Sequence, residues 1–153
     1  LALVAAAEAG HRLPASLRSI AVGGARVGAN LLARAARLGL PVYEGYGLSE
    51  CGSVVCLNRP GATRAGSVGQ ALPHTRVLVD ADGEILVDGP RLLGHVDGSR
   101  PPAGPLRTGD LGDIDADGYV HVSGRRKALY ITAWGRNVSP EWVEAELTQH
   151  PLI

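Results

Sequence analysis

The sequence predicts an α/β fold in which a parallel unit is followed by a small antiparallel β-rich region and a final α+β segment. Three observations predict it. An apolar run, an amphipathic helix and a second apolar run succeed one another between residues 17 and 43, the length a parallel crossover needs. Ala81-Asp82-Gly83 and Ala116-Asp117-Gly118 each lie between alternating apolar stretches, a strong hairpin signal. Ser139-Pro140 then opens a helical pattern near the end of the chain, with an N-cap residue followed by proline at the first helical position.

Taken in order, residues 1–10 read as the end of a helix closed at Gly10 and followed by a turn around Pro14. Leu17 to Val22 suits a short buried strand ending in Gly23-Gly24-Ala25. From about Gly28 to Leu38, Leu31, Leu32, Ala35 and Leu38 share one helical face, with Arg34 and Arg37 off it. Gly39 ends that helix and Pro41-Val42-Tyr43 starts the next strand. Glu44-Gly45-Tyr46-Gly47-Leu48-Ser49-Glu50 then reads as a turn that combines two glycines, a ring, a hydroxyl and a carboxylate. In a parallel unit the two strand ends share one sheet edge, so 23–25 and 44–50 are expected side by side, where open α/β sheets bind ligands. Gly23, Gly24 and Gly28 do not have the G-x-G-x-x-G spacing of a dinucleotide fingerprint.

Beyond Cys56 the texture changes. Residues 76–80 and 84–87 form one expected hairpin, and 113–115 and 119–122 another, with a glycine- and proline-rich exposed loop at 97–105 between them. Asp113-x-Asp115-x-Asp117-Gly118 imitates the start of a calcium loop, but the twelfth position is Gly124 instead of the closing glutamate, and both flanks alternate as strands. Ala128 to Thr132 is strand-like, Gly135-Arg136-Asn137 turns the chain, and the helix behind Ser139 is expected to run to about Gln149.

The 153 residues include no methionine and open in mid-helix, so the chain reads as an internal piece of a longer protein. Net charge is zero with the basic residues dispersed, which points away from nucleic acid and from a polybasic membrane surface. The apolar opening is broken by Glu8 and is too short to span a bilayer. Cys51 and Cys56, with no histidine at ligand spacing, read as two semi-buried thiols in a reducing compartment. Against fourteen arginines there is a single lysine, Lys127.

The order of motifs carries a further signal. Gly24-Ala25 is followed by Gly45-Tyr46-Gly47-Leu48-Ser49-Glu50, Gly66-Ser67-Val68-Gly69, Gly83-Glu84-Ile85-Leu86-Val87, Arg107-Thr108-Gly109-Asp110-Leu111, Gly124-Arg125-Arg126-Lys127 and Asn137-Val138-Ser139-Pro140. This series resembles the adenylate-forming superfamily of acyl-CoA synthetases, firefly-type luciferases and peptide-synthetase adenylation domains, over about residues 17–149. The resemblance implies three parts: the C-terminal part of a large AMP-binding α/β subdomain over 1–58, the β-rich subdomain over 59–126, and the hinge and start of a C-terminal lid over 127–153. It also implies a reaction in which a carboxylate attacks the α-phosphate of ATP–Mg²⁺, giving an acyl-adenylate and pyrophosphate, after which a thiol, usually coenzyme A, takes the acyl group.

Carried over by resemblance, Gly24, Ala25, Gly45 and Tyr46 line the adenine, with the Tyr46 ring stacking on it. Ser49, where relatives usually have threonine, contacts the α-phosphate. Glu50 holds Mg²⁺, Asp110 binds the ribose hydroxyls, Arg125 reaches ribose or phosphate, and Lys127 is the hinge. Glu50 and Ser49 are thereby the catalytic candidates. The spacing from Lys127 to Val138 is similar to that of long-chain fatty acyl-CoA synthetases, which implies a fatty-acid substrate; the family resemblance implies coenzyme A as co-substrate, and a cytoplasmic enzyme or one peripheral to a membrane is expected. Some positions depart from the pattern: Ile131 stands where a second lysine is common, and Arg136 where many relatives have glutamate. The loop at 97–105 lacks the usual aromatic. The family's phosphate loop and catalytic lysine are not among these residues, so the 153-residue chain by itself is expected to be inactive. The competing expectations are an aryl- or amino-acid adenylating enzyme that loads a carrier protein, a non-catalytic binding module on the same scaffold, and a calcium-binding β module.

Overall fold

The structure, a computed structural model, describes residues 2–150 apart from 95, 135 and 149. Helix α1 (Ala2–Glu8) is followed by strand β1 (Ile20–Val22), helix α2 (Ala29–Arg37) and strand β2 (Val42–Tyr46). β1 and β2 are parallel, with Ile20 beside Val42 and Val22 beside Glu44, so the expected crossover is present. Its strand is shorter than expected at the start, since residues 17–19 are not extended. β2 is longer at its end: Glu44-Gly45-Tyr46, read from sequence as turn, continues the strand. The turn proper begins at Gly47 and leads into one 3₁₀ turn, Ser49–Cys51. The β-branched and aromatic residues ahead of Gly45 favour extended backbone, and Gly45 and Tyr46 find ladder partners in Leu57 and Cys56, which outweighs the local glycine signal.

Two short strands, β3 (Cys56–Leu57) and β4 (Gln70–Ala71), complete a four-stranded sheet in the order β1-β2-β3-β4. A second sheet is an antiparallel meander of β5 (Arg76–Val79), β6 (Glu84–Asp88), β7 (Leu106–Ile114) and β8 (Val120–Arg125). Both Ala-Asp-Gly turns fall where expected, between β5 and β6 and between β7 and β8. In each, an aspartate upstream accepts from the backbone of the turn: Asp80 from Asp82 and Glu84, Asp115 from Asp117 and Tyr119. A two-stranded hairpin, β9 (Tyr130–Ile131) with β10 (Asn137–Val138), leads into α3 (Pro140–Leu147). The expected end of this helix at Gln149 lies outside the described residues.

One core joins the two sheets. Cys51 from the 3₁₀ turn, Val55 from the connection after it and Cys56 from β3 pack with Val77, Ile85, Val87 and Val120 from the second sheet, and Tyr46 and Leu48 lie against them. A smaller cluster of Val4, Ala35 and Leu40 holds α1 and α2 to β2. Leu38, expected on the buried face of α2, sits at the helix C-cap and is 38% exposed, while Leu40 takes the core position. Both cysteines are free and fully buried, more so than the sequence suggested. Burial pushes the Cys56 thiol up to about 12.

Gly47 is required where the strand turns away. A Cβ there would lie 1.5 Å from the carbonyl oxygen of Ser53, a distance no side-chain atom can accept. The next segment is fastened by Asn58, which is buried. Its amide donates to the Glu44 and Ser67 carbonyls at 3.1 and 2.7 Å and its oxygen accepts from the Arg64 amide at 3.0 Å. The Gly66–Gly69 loop is thereby tied to β2.

Candidate adenylate-binding cleft

The carboxyl ends of β1 and β2 open onto a cleft of about 240 Å³. Its lining includes Gly24, Ala25, Gly45 and Tyr46 from the strand ends, Asp110 and Arg125 from the meander, and Ser139, Glu141 and Trp142 from the start of α3. Of the expectation that 23–25 and 44–50 lie together, the parallel register brings Gly24 and Ala25 into one lining with Glu44, Gly45, Tyr46 and Gly47, whereas Ser49 and Glu50 lie outside it.

Asp110 comes from a bulged stretch of β7 and is 3% exposed. Its Oδ2 accepts a 2.7 Å hydrogen bond from the Tyr46 hydroxyl, and its Oδ1 lies 3.2 Å from Arg125 Nε. Burial, followed by the hydrogen bond to Asp110, raises the Tyr46 phenol well above its ordinary range, so this hydroxyl is a donor at any working pH. Each Asp110 oxygen keeps a further lone pair, and a carboxylate is acceptor-only when ionised. Arg125 is largely exposed at the cleft mouth. The arrangement supplies a ring, a fixed acceptor pair and a permanent cation in one contiguous lining.

Glu44, which the sequence reading did not assign, also lines the cleft. Burial raises its carboxyl, opposed by the Val27 amide at 3.4 Å and by Arg26. Its position one residue ahead of Gly45 was the only sequence signal available. The α3 contribution was not legible either. Ser139 occupies the N-cap position, but its hydroxyl does not cap the helix as expected; it donates at 2.6 Å to Glu141. That bond, with the nearby Arg125, holds the Glu141 carboxyl below its usual range. Gly124 makes this approach feasible, since a Cβ on it would lie 2.9 Å from Ser139 Cβ and Oγ.

Three candidate residues fall outside the lining. Ser49 and Glu50 head the exposed 3₁₀ turn beyond Gly47, and Lys127 is exposed in the turn after β8. No cluster of three or more potential metal ligands occurs among the described residues. Glu50 offers one accessible carboxylate, which fits Mg²⁺ only in the manner that ion usually adopts, with phosphate oxygens and water making up the shell. At the calcium-like segment, Arg64 pairs with Asp115 at 2.5 Å and Asp117 at 2.6 Å and lies over the Tyr119 ring. The flanks are strands, as expected, and Asp115 and Asp117 share Arg64 as their cation.

The fold is of the α/β type with a cleft at the carboxyl ends of its parallel strands, and comparison with known proteins makes this particular. Residues 1–95 match the model of the AMP-binding enzyme family; the chain belongs to that family, within the adenylate-forming superfamily. Over 147 residues it is 37% identical to the long-chain-fatty-acid–CoA ligase FadD15 of Mycobacterium bovis, covering 92% of this chain and 24% of that protein. It is 34% identical over 157 residues to a 2-succinylbenzoate–CoA ligase of Bacillus cereus, covering 92% of this chain and 32% of that protein. Among solved structures it resembles the o-succinylbenzoate CoA synthetase of Bacillus subtilis in complex with the acyl-adenylate intermediate OSB-AMP, with TM-score 0.81, 30% identity, and coverage of 98% of this chain and 34% of that one. The same enzyme in complex with ATP and magnesium gives a TM-score of 0.79 at 31% identity, covering 98% of this chain and 35% of that one. The chain spans about a quarter to a third of the length of these relatives. No described helix is long and apolar enough to cross a membrane.

Proposed function

We propose that the protein carrying this chain is an ATP-dependent, AMP-forming acid–thiol ligase and that the cleft described above binds its adenylate. The single observation that carries the reading is the convergence of Tyr46, Asp110 and Arg125 on the glycine edge of the parallel strands. In the first step a carboxylate oxygen of the substrate attacks the α-phosphorus of ATP and pyrophosphate leaves. In the second, a thiol, that of coenzyme A in this reading, attacks the acyl carbon; AMP leaves and the thiol proton passes to solvent. The chain's residues serve by positioning and by charge neutralisation.

In this reading the Tyr46 ring stacks on adenine, with Gly24, Ala25 and Gly45 allowing close approach. Asp110 accepts from the ribose hydroxyls and Arg125 faces ribose or phosphate as a fixed cation. Ser49 contacts the α-phosphate, and Glu50 supplies one carboxylate to Mg²⁺. When bound, that ion neutralises phosphate charge. Lys127 is the hinge between a body formed by 1–58 and 59–126 and a lid that starts at 127, and hinge residues act through their backbone dihedrals. The enzyme is taken to be cytoplasmic, or peripheral to a membrane.

A fatty acid is the preferred substrate class, supported by the spacing from Lys127 to Val138 and by the likeness to the mycobacterial long-chain ligase. An aryl acid is the second reading, favoured by the likeness to 2-succinylbenzoate–CoA ligases and to the anthranilate CoA ligase AuaEII, whose structure in complex with anthranoyl-AMP covers 97% of this chain and 32% of that one, at TM-score 0.76 and 30% identity. Carboxylate-dependent ATP–pyrophosphate exchange by the intact protein, run with fatty, aryl and amino acids, tests both. Exchange with none of them would sink the enzymatic reading.

A further inference from the structure

A buried carboxylate outside the cleft holds the cleft's own acceptor in place. Between β6 and β7 the register shifts: Glu84 faces Leu111 while Leu86 faces Arg107, leaving Ile85 opposite Thr108, Gly109 and Asp110. Such a bulge frees backbone groups that the ladder would otherwise satisfy. Four of them have partners as follows. Thr108 Oγ1 donates to the Ile85 carbonyl at 2.8 Å and accepts from the Asp110 amide at 3.0 Å. The Gly109 carbonyl accepts from the Arg126 amide at 2.8 Å. The Gly109 amide donates to Glu84 Oε1 at 3.0 Å.

Glu84 is 4% exposed, so its charge needs partners in place of water. Its other oxygen, Oε2, lies 2.5 Å from Arg107 Nη2 and 3.4 Å from Arg126 Nη2. Arg107 also reaches Asp80 at 2.7 Å, and Arg126 approaches Asp82 at 3.6 Å. One carboxylate therefore binds the amide directly ahead of Asp110 and the side chain directly ahead of Lys127.

We infer that Glu84 is a positioning residue for nucleotide recognition: through the Gly109 amide and Arg126 it fixes the bulge that presents Asp110 to the cleft. It touches no substrate in this arrangement and acts through Asp110. The inference rests on the reading of Asp110 as the ribose acceptor.

The test compares ATP with 2′-deoxy-ATP in pyrophosphate exchange by the intact protein, with kcat and KM measured separately. The wild type is expected to favour ATP through KM, and Asp110→Asn to lose that preference. Glu84→Gln keeps the shape but removes the charge; its ATP preference is expected to shrink about threefold or more, with a smaller change in kcat, as for loss of a charge-assisted hydrogen bond. An unchanged preference, or equal losses with both nucleotides, would overturn the inference. If Glu84→Gln is not obtained folded, Arg126→Gln at the protein surface takes its place: a reduced preference supports the inference and an unchanged one overturns it. A wild type without preference, or an Asp110→Asn variant that retains it, brings down the ribose reading itself and this inference with it.

Discussion

The Tyr46 hydroxyl donates a 2.7 Å hydrogen bond to Asp110, a residue 64 positions further along the chain. It links the end of the parallel strand pair to the antiparallel meander and fixes the ring relative to the carboxylate beside it. Tyr46→Phe keeps the ring and removes the bond. About 1 kcal/mol of stability should be lost, and KM for ATP should rise several-fold, because Asp110 loses a restraint. Tyr46→Ala should raise KM further. Equal nucleotide KM values for the wild type and the alanine variant would contradict the stacking role.

Gly124→Ala tests the seating of α3. The new methyl would meet Ser139 at 2.9 Å, and overpacking of this kind costs about 1–3 kcal/mol. The expected result is faster tryptic cleavage around Arg125-Arg126-Lys127 with little loss of the sheet signal in circular dichroism. Unchanged cleavage kinetics would mean that this contact does not hold the helix.

Asp115 makes stability depend on acid pH. Burial works against its charged form, but the Tyr119 amide, His121, Arg64 and the Asp117 amide together lower it from 3.8 to about 2. A carboxylate depressed on folding stabilises above its unfolded value and loses that contribution as pH falls through its folded value. Urea midpoints should therefore drop between about pH 4 and pH 2, and Asp115→Asn should flatten the slope in that window. A variant with the wild-type slope would assign the acid loss to other groups.

The two cysteines should resist a thiol reagent in the native state. Both side chains are fully buried, and burial raises both thiols, while the thiolate is the reactive form. Labelling is expected only at the rate of opening of the joint core, and denaturant should accelerate it for both together. Rapid labelling of either in native buffer would show that this core opens locally.

Much of the scaffold was legible because its signals are local. Gly23-Gly24 marks the end of β1, the two Ala-Asp-Gly turns have their aspartate caps within a few residues, and the helical stripe of α2 places Leu31 and Ala35 inward. The errors are local signals overridden by a sheet contact in one case and by competing local geometry in the others. Gly45 looked like turn but found a ladder partner across the sheet, Leu38 fell on the apolar stripe but lies at a helix end, and the Ser139 hydroxyl found Glu141 instead of the helix amides. Glu84 read as an ordinary strand start, because a bulge leaves no mark in an alternating pattern.

By itself the sequence determined the parallel unit, the two Ala-Asp-Gly hairpins and the last helix, in that order, but neither the two-residue strands β3 and β4 nor the extension of β7 back to Leu106. Periodicity, caps and glycine positions act over a few residues and need nothing distant. Only the tertiary structure decided that Tyr46, Asp110 and Arg125 face one cleft, that α3 closes one side of it, and that Glu84 braces the bulge carrying Asp110. Those relationships form when the two sheets share one buried core, and contacts between distant segments have no counterpart in local pattern. Burial then sets their chemistry, since a carboxylate without water must be held by the donors that the fold brings to it.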